Sequence, residues 1–374
     1  MNICVLGWYG TETLGDRAIL DGICVVFSKT YGKAHVRLGS LNPFVTHRTM
    51  VEDGGIYAQN APGISLSCFD VKNAHALRDE IKKADMVLMG GGPIMDLDEL
   101  NIVCYAFHRA RKLKKRTMVF GCGLGPLYQK RYEKVAERIL GYADDIVFRD
   151  RLSSEMAVRI FGGGNYRYAF DPAVLSVGEY VAERETGRGN GIAVNLRDFP
   201  ASVYGEKNRL TFGLLKGLFA ELSARFGSVV LVPMHTFGVG GDDRRFFAEL
   251  LSDGGPGDVR ALHTPPNLHE LYGVFSDSFG CIGMRYHSVL MQTFLNGNNV
   301  VFDYTEKGVG KIGGFLDMLG DAGGFYESRY WNIQEEPGDG FIGRIPAIFD
   351  MDRRFAYNRD IYGNTLDFYM KLLN

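Results

Sequence analysis

The chain has 374 residues, of which 46% are hydrophobic and 23% charged, and its net charge is −2. That length favours two cores over one. The composition excludes a disordered chain, and the charge excludes a protein built as a whole to attract nucleic acid.

Ile3-Cys4-Val5-Leu6 reads as a strand that turns at Gly7-Trp8-Tyr9-Gly10 into a helix over residues 14–27. Residues 86–89 form the next strand, closing on Gly90-Gly91-Gly92-Pro93, and a helix follows over 99–114. A strand over 118–120 ends in Gly121-Cys122-Gly123-Leu124-Gly125-Pro126. Then come a helix over 132–142, a strand over 146–148 leading to Arg149-Asp150, and a helix over 153–161. Ser153 is its expected N-cap, with Glu155 in the first turn. A short strand over 168–170 precedes Asp171-Pro172. Residues 182–191 are polar and glycine-rich, the composition of a linker. Beyond them the alternation restarts, with strands over 192–196, 229–232, 279–282 and 300–302. Helices are expected over 211–226, 243–251, 267–275, 286–295 and 312–319, and a terminal helix over 356–372.

Short, continuously apolar strands alternating with amphipathic helices predict mostly parallel sheets covered on both faces. The fold class is therefore α/β, with two Rossmann-like, doubly wound domains facing a cleft, over residues 1–181 and 182–350. Residues 351–374 form a C-terminal helix able to pack back on the first domain. Cys4, Cys24, Cys68, Cys104, Cys122 and Cys281 make no C-x-x-C pair and read as free thiols in a reducing compartment. No leader-like opening and no apolar run of about 18 residues occurs, so the expected location is the cytoplasm.

Ligands of such sheets bind outside the carboxyl ends of the strands. After the first strand, Gly10 and the following turn could bring backbone N–H groups to a phosphate, or form a plain strand-to-helix turn. Asp16 either faces that ligand or caps the helix. Gly90-Gly91-Gly92 holds more glycine than a tight turn needs, so Gly91 and Gly92 suggest a close approach by a ligand or by the facing domain. Gly283-Met284-Arg285-Tyr286-His287 lies at a strand-to-helix junction. Arg285 can grip a carboxylate or phosphate with two prongs, and His287 can move protons near neutral pH. Arg197 and His235 follow strands of the same domain. Arg149-Asp150, after the strand over 146–148, is either a further polar pair at the cleft edge or a structural ion pair, and Asp242-Asp243 reads as the start of a helix.

Other patterns carry less. Asp96-Leu97-Asp98 has the shape of a metal–nucleotide motif, but two acids at this spacing are common on loops. The scattered histidines form no zinc pattern, and no G-x-S-x-G elbow is present. The basic run from Arg109 to Arg116 is the solvated end of a helix, or a contact for anionic lipid headgroups.

In order and spacing these motifs resemble the polysaccharide pyruvyltransferase family, from the N-terminus to about Gly320. The resemblance is carried by Gly7-Trp8-Tyr9-Gly10, Leu14-Gly15-Asp16 with Ala18-Ile19-Leu20, and Gly90-Gly91-Gly92. It continues through Gly123-Leu124-Gly125-Pro126, Arg149-Asp150 with Ser153, and Asp171-Pro172-Ala173. It ends with Gly283-Met284-Arg285-Tyr286-His287 and Lys311-Ile312 leading to Phe315-Leu316. Two departures stand out: Thr13 replaces the family's asparagine before Leu14-Gly15-Asp16, and the segment after Tyr304 diverges.

The resemblance implies a GT-B-like fold and transfer of pyruvyl from phosphoenolpyruvate to sugar hydroxyls, often closing a cyclic ketal. It implies a first domain that takes the acceptor and a second that takes the donor. It places Arg197, Arg285 and His287 in the catalytic site. Gly10, Asp16, Gly91, Gly92, His235, Tyr286 and Lys311 are the candidate substrate contacts. The expected partners are phosphoenolpyruvate as donor substrate and a sugar acceptor, lipid-linked oligosaccharides included, with no cofactor, metal or nucleic acid. A lipid-linked acceptor would bring the protein to the inner face of a membrane as a peripheral enzyme. The competing readings are a GT-B glycosyltransferase using a nucleotide sugar and a non-catalytic anion- or sugar-binding protein.

Overall fold

The computed structural model describes residues 1–11, 13–182, 189–205, 207–238, 241–306, 310–320, 323–335, 338–351, 353–356 and 359–374. The chain forms two compact units, Met1–Ser176 with Arg359–Asn374, and Val177–Asn358. Most of the linker-like segment, residues 183–188, lies outside the described residues.

The first unit runs β1 (Asn2–Leu6), α1 (Leu14–Tyr31), β2 (Ala34–Ser40), α2 (Pro43–Glu52), α3 (Gly54–Asn60), β3 (Ile64–Asp70), α4 (Ala74–Lys83) and β4 (Met86–Met89). It continues through β5 (Pro93–Ile94), α5 (Leu100–Lys112), β6 (Arg116–Leu124), α6 (Lys130–Tyr142), β7 (Asp145–Phe148), α7 (Arg151–Phe161) and β8 (Tyr166–Tyr168) to the first residues of α8 (Ala173–Ala182), whose remainder, from Val177, belongs to the second unit. Its strands lie in the order β3-β2-β1-β4-β6-β7-β8, with β5 beside β6. Every pairing is parallel.

The second unit runs β9 (Ile192–Asn195), α9 (Ala201–Tyr204), α10 (Phe212–Phe226), β10 (Val229–Leu231), α11 (Asp243–Leu250), β11 (Val259–Ala261), α12 (Leu268–Asp277) and β12 (Gly280–Gly283). It ends with α13 (Tyr286–Leu295), β13 (Asn299–Asp303), α14 (Lys311–Met318), α15 (Gly323–Tyr326), β14 (Tyr330–Asn332), α16 (Asp339–Ile342) and α17 (Ile345–Asp350). Its parallel sheet is ordered β11-β10-β9-β12-β13-β14, the Rossmann order, which reverses between β9 and β12. The expected α/β class of two Rossmann-like units is what the chain adopts.

α18 (Arg359–Leu373) belongs to the first unit. Its Tyr369 is fully buried, stacks on Phe120 with ring centroids 4.4 Å apart, and donates to the Phe170 carbonyl at 3.1 Å. It packs on α1, which is buried continuously from Leu14 to Phe27. So complete a burial leaves Asp21 inside the protein, where Asn60 Nδ2 and Ser176 Oγ each donate to its carboxylate at 2.6 Å.

Sequence periodicity missed β2, β3, β11 and β14. β2 alternates Ala34, Val36 and Leu38 with half-buried His35 and Arg37, and β3 is an edge strand with Ile64, Leu66 and Cys68 only partly covered. A search for continuous apolar runs passes over such one-faced strands. Other bounds need correction. The N-cap of α7 is Asp150, which accepts from the Ser153 N–H at 2.6 Å, and Ser153 Oγ instead accepts from the Leu124 N–H at 3.1 Å. The strand expected over 168–170 is β8, two residues earlier. The terminal helix starts at Arg359, past residues 357 and 358, which lie outside the described residues.

Gly22 of α1 meets the chain at Pro172 so closely that an added Cβ would stand 1.8 Å from the Pro172 carbonyl oxygen. Backbone, not a movable side chain, fills that space. Gly22→Ala is therefore expected to cost about 3 kcal/mol despite alanine's better helix propensity. A denaturation midpoint equal to or above that of the wild type would contradict this packing.

Candidate functional site

The second sheet sets its site through strand order. β9 and β12 are neighbours at the reversal, and each leads into a chemistry-bearing residue, Arg197 after β9 and Arg285 after β12. Asn195 joins the two exits: its Oδ1 accepts from the Arg285 N–H at 3.1 Å, and its Nδ2 donates to the Val232 carbonyl at 2.9 Å.

Arg285 is the N-cap residue of α13 and gives the helix no side-chain cap. Its guanidinium turns to Asp243. Nη2 lies 2.5 Å from Oδ1, Nε is 2.9 Å from both carboxylate oxygens, and Nη2 also donates to the Gly241 carbonyl at 3.0 Å. Asp243 is 1% exposed and also accepts from the Met234 and His235 N–H groups, at 3.0 and 3.1 Å. In the sequence Asp243 reads, with Asp242, as the start of a helix. It is that, but the cap is Asp242, which leaves Asp243 to turn inward and hold the arginine. No local pattern signals this pairing, because its partners are 42 residues apart.

Arg197 and Lys311 meet at Tyr304, a residue that carried no functional assignment in the sequence. Tyr304 follows β13 and is 3% exposed. Arg197 Nη1 donates to its hydroxyl at 3.4 Å, and the guanidinium carbon lies 4.9 Å from its ring centroid. Lys311 Nζ lies 5.6 Å from the same centroid. Burial opposes ionisation of this phenol, but Lys311, Arg197 and Arg285 outweigh it and bring the pKa down to about 7. Beside it, Asp303 has its carboxyl held by the Thr305 hydroxyl at 2.6 Å and the Tyr330 hydroxyl at 2.9 Å. Burial raises its pKa.

The structure thus gathers predicted residues Arg197, Arg285 and Lys311 at one end of one sheet. His287 stands half-buried in the first turn of α13, its ring 4.9 Å from that of Tyr286. Tyr286 is 3% exposed and packs edge-on against Phe315. His235 is buried at the end of the segment that Asp243 holds. Like α13, α14 starts without a side-chain cap, so two helix N-termini of suitable polarity for an anion open at this edge.

In the first unit, Thr13 rather than Asp16 is the N-cap of α1, and Asp16 pairs with the Thr13 hydroxyl. Gly10 and Asp16 line a hollow of about 20 Å³ with Trp8, Tyr9 and Arg17, room for one water and not for a sugar. Gly91 and Gly92 have φ of 109° and 72°. An added Cβ would meet Tyr9 at 2.9 Å and Trp8 at 2.1 Å. What approaches this backbone is the first loop of the same unit, and Trp8 Nε1 donates to the Pro93 carbonyl at 2.8 Å.

Several motifs prove structural. Arg149 is 3% exposed, between Asp150 at 3.8 Å and Asp171 at 3.6 Å. Asp96 accepts from the Tyr128 and Gln129 N–H groups, both at 3.0 Å, and Asp98 from the Tyr132 hydroxyl at 2.6 Å. In the basic run, Arg111 donates to the Gly141 carbonyl and Arg116 to Asp145, both at 2.7 Å. All six cysteines are free thiols, and burial pushes that of Cys4 up to about 12. No helix among the described residues is long and apolar enough to cross a membrane.

Two Rossmann-like units of this strand order define the fold class of GT-B glycosyltransferases and sugar epimerases. UDP-N-acetylglucosamine 2-epimerase from Rickettsia bellii superposes with a TM-score of 0.60 at 10% identity, over 100% of this chain and 95% of its own. The MnaA–UDP structure from S. aureus gives 0.58 at 10% identity, over 100% and 94%. HepE of Anabaena, solved with UDP and glucose, gives 0.51 at 12%, over 99% and 100%. Identities this low establish a shared fold only. No curated protein matches the sequence. The chain belongs to the polysaccharide pyruvyl transferase family, whose model matches residues 14–305. Membership makes it a transferase with a sugar or polysaccharide acceptor.

Asp243→Ala would strip Arg285 of its counter-ion and leave two backbone N–H groups without their acceptor. Breaking a buried pair in this way is expected to cost about 3–5 kcal/mol. Chemical denaturation of purified variant and wild type measures it, and a loss under about 1 kcal/mol would show that Arg285 does not depend on this carboxylate.

Proposed function

We propose that this protein moves the pyruvyl group of phosphoenolpyruvate onto the hydroxyls of a sugar, closing a pyruvate ketal in cell-surface polysaccharide biosynthesis. Beyond family membership, the supporting observation is the gathering of Arg197, Arg285 and Lys311 at the carboxyl edge of one sheet, beside two uncapped helix starts. The donor carries a carboxylate and a phosphate, so it needs at least two anion grips, and arginine forks suit both groups.

In this reading Arg285, fixed by Asp243, and Arg197 hold the donor, while Lys311 and His235 add contacts to its oxygens. Protonation of the methylene carbon makes the adjacent carbon oxocarbenium-like. A sugar hydroxyl adds there, phosphate leaves, and a second hydroxyl closes the ketal. His287 moves a proton between the acceptor hydroxyl and the departing phosphate. The chemistry calls for positioned charge and proton transfer, which these side chains supply without a cofactor. Among lipid-linked acceptors, an oligosaccharide repeat would bring the protein to the inner face of a membrane, where exposed Lys112 and Lys114 could meet anionic headgroups.

Phosphate release from phosphoenolpyruvate, measured across galactosides, mannosides, nucleotide sugars and lipid-linked oligosaccharides, tests the reading. Release with at least one acceptor is expected. Thermal protection by a nucleotide sugar and not by phosphoenolpyruvate would instead favour the glycosyltransferase reading, consistent with the UDP-bound proteins of similar fold. Donor binding without release under any acceptor would point to a non-catalytic binder.

Each arginine can be tested alone. A lost charged hydrogen bond is worth about 1.5–3 kcal/mol, so Arg197→Ala and Arg285→Ala should each weaken phosphoenolpyruvate binding at least roughly 10-fold. Calorimetric titration reads this directly, and unchanged donor affinity in a folded variant removes that arginine from the site.

A further inference from the structure

We propose that Tyr304 is a catalytic acid of this site, its phenol O–H delivering the proton that the methylene carbon of phosphoenolpyruvate takes up. The inference rests on the pyruvyl-transfer reading and assigns the one proton that reading leaves without a source.

The placement is specific. The phenol is buried at the end of β13, beside the strand that leads to Arg285. Its carbonyl is fixed by Gln334 Nε2 at 2.7 Å, which holds the backbone while the ring lies under Arg197. The charged and titratable groups that face it are Arg197 after β9, Arg285 at the head of α13, Lys311 at the head of α14 and Tyr204 of α9, whose ring centroid is 6.4 Å away. On its own segment, Asp303 is engaged by Thr305 and Tyr330, and Glu306 is exposed. The cations that would bind the donor therefore also stabilise the phenolate.

That shared dependence gives the group a cycle. Without donor, the cations draw the proton off the phenol near neutral pH. The donor's carboxylate and phosphate then take over the same cations, and the phenol is favoured again, so the proton is loaded as the substrate arrives. In the chemical step the π pair of the donor's double bond forms the new C–H bond while the phenol O–H breaks. The first acceptor hydroxyl bonds to the oxocarbenium carbon and its proton passes to His287. The carbon–oxygen bond to phosphate breaks, with the His287 proton going to phosphate. The second hydroxyl closes the ketal and its proton restores the phenol. Donor and diol become ketal and phosphate with nothing left over.

The experiment compares full-length wild type with Tyr304→Phe. Ultraviolet titration of the wild type should show one tyrosinate forming around pH 7, as its lowered pKa of about 7 requires, and the variant should lack it. With phosphoenolpyruvate bound, that transition should move to higher pH, and calorimetry in buffers of different ionisation enthalpy should show proton uptake. The variant should lose kcat by about 100-fold or more with its donor affinity near that of the wild type. The proposal is overturned if the wild type shows no such tyrosinate. It is also overturned if the variant keeps kcat and its pH profile, or loses donor affinity alone, which would make Tyr304 only a rest for Arg197. Should the variant not fold, the titration and proton uptake of the wild type decide. If the wild type shows the tyrosinate but does not bind phosphoenolpyruvate, the pyruvyl-transfer reading fails and the proton-transfer step with it. If phosphate is released without help from Tyr304, only the Tyr304 inference fails.

Discussion

The second unit turns on one buried carboxylate. Asp243 joins the end of β10 to the head of α13 by accepting from two backbone N–H groups and a guanidinium at once. Each contact alone is modest. Together they take a long, flexible arginine and fix it at a single height above the sheet. The entropy that a surface arginine would lose on meeting an anion is lost at folding instead. A carboxylate inside the protein is tolerable here because its lone pairs are occupied.

The cluster depends equally on strand order. Arg197 leaves the sheet from β9, Arg285 from β12 and Tyr304 from β13, three consecutive strands in space, although Arg197 and Tyr304 are 107 residues apart in sequence. Parallel strands send all their exits to the same edge, so charges from distant parts of the chain meet there. At that edge α13 and α14 begin, neither with a side-chain cap, so both helix dipoles point their positive ends there. A wholly cationic centre would repel itself. Tyr304, held among the cations, gives it an oxygen acceptor that can be charged or neutral.

Much of this was legible in the sequence, and the illegible part has consistent causes. Strands buried on both faces, such as β4 and β12, announce themselves as apolar runs. The half-covered edge strands β3 and β11 do not, and their alternation with serine or arginine hides them. Arg197 and Arg285 could be picked out because each follows a strand, and Lys311 because it stands in a motif that resembles the family's. Asp243 and Tyr304 could not, since their roles come from partners brought in by topology. Gly91 and Gly92 do permit a close approach, but the visitors are Trp8 and Tyr9 of the same unit. Excess glycine shows that something comes near, not what it is.

The return of α18 to the first unit bears on how the molecule is made. Tyr369 fills part of the first core against Phe120, and α18 lies along the buried helix α1. On the ribosome, residues up to Ser176 emerge with that seat empty, and all of Val177–Asn358 must follow before the filler arrives. The second unit is contiguous and can finish first. Synthesis order and folding order are thus partly reversed: the first unit is completed last, and its apolar seam stays open to chaperones or to other chains while Val177–Asn358 is made.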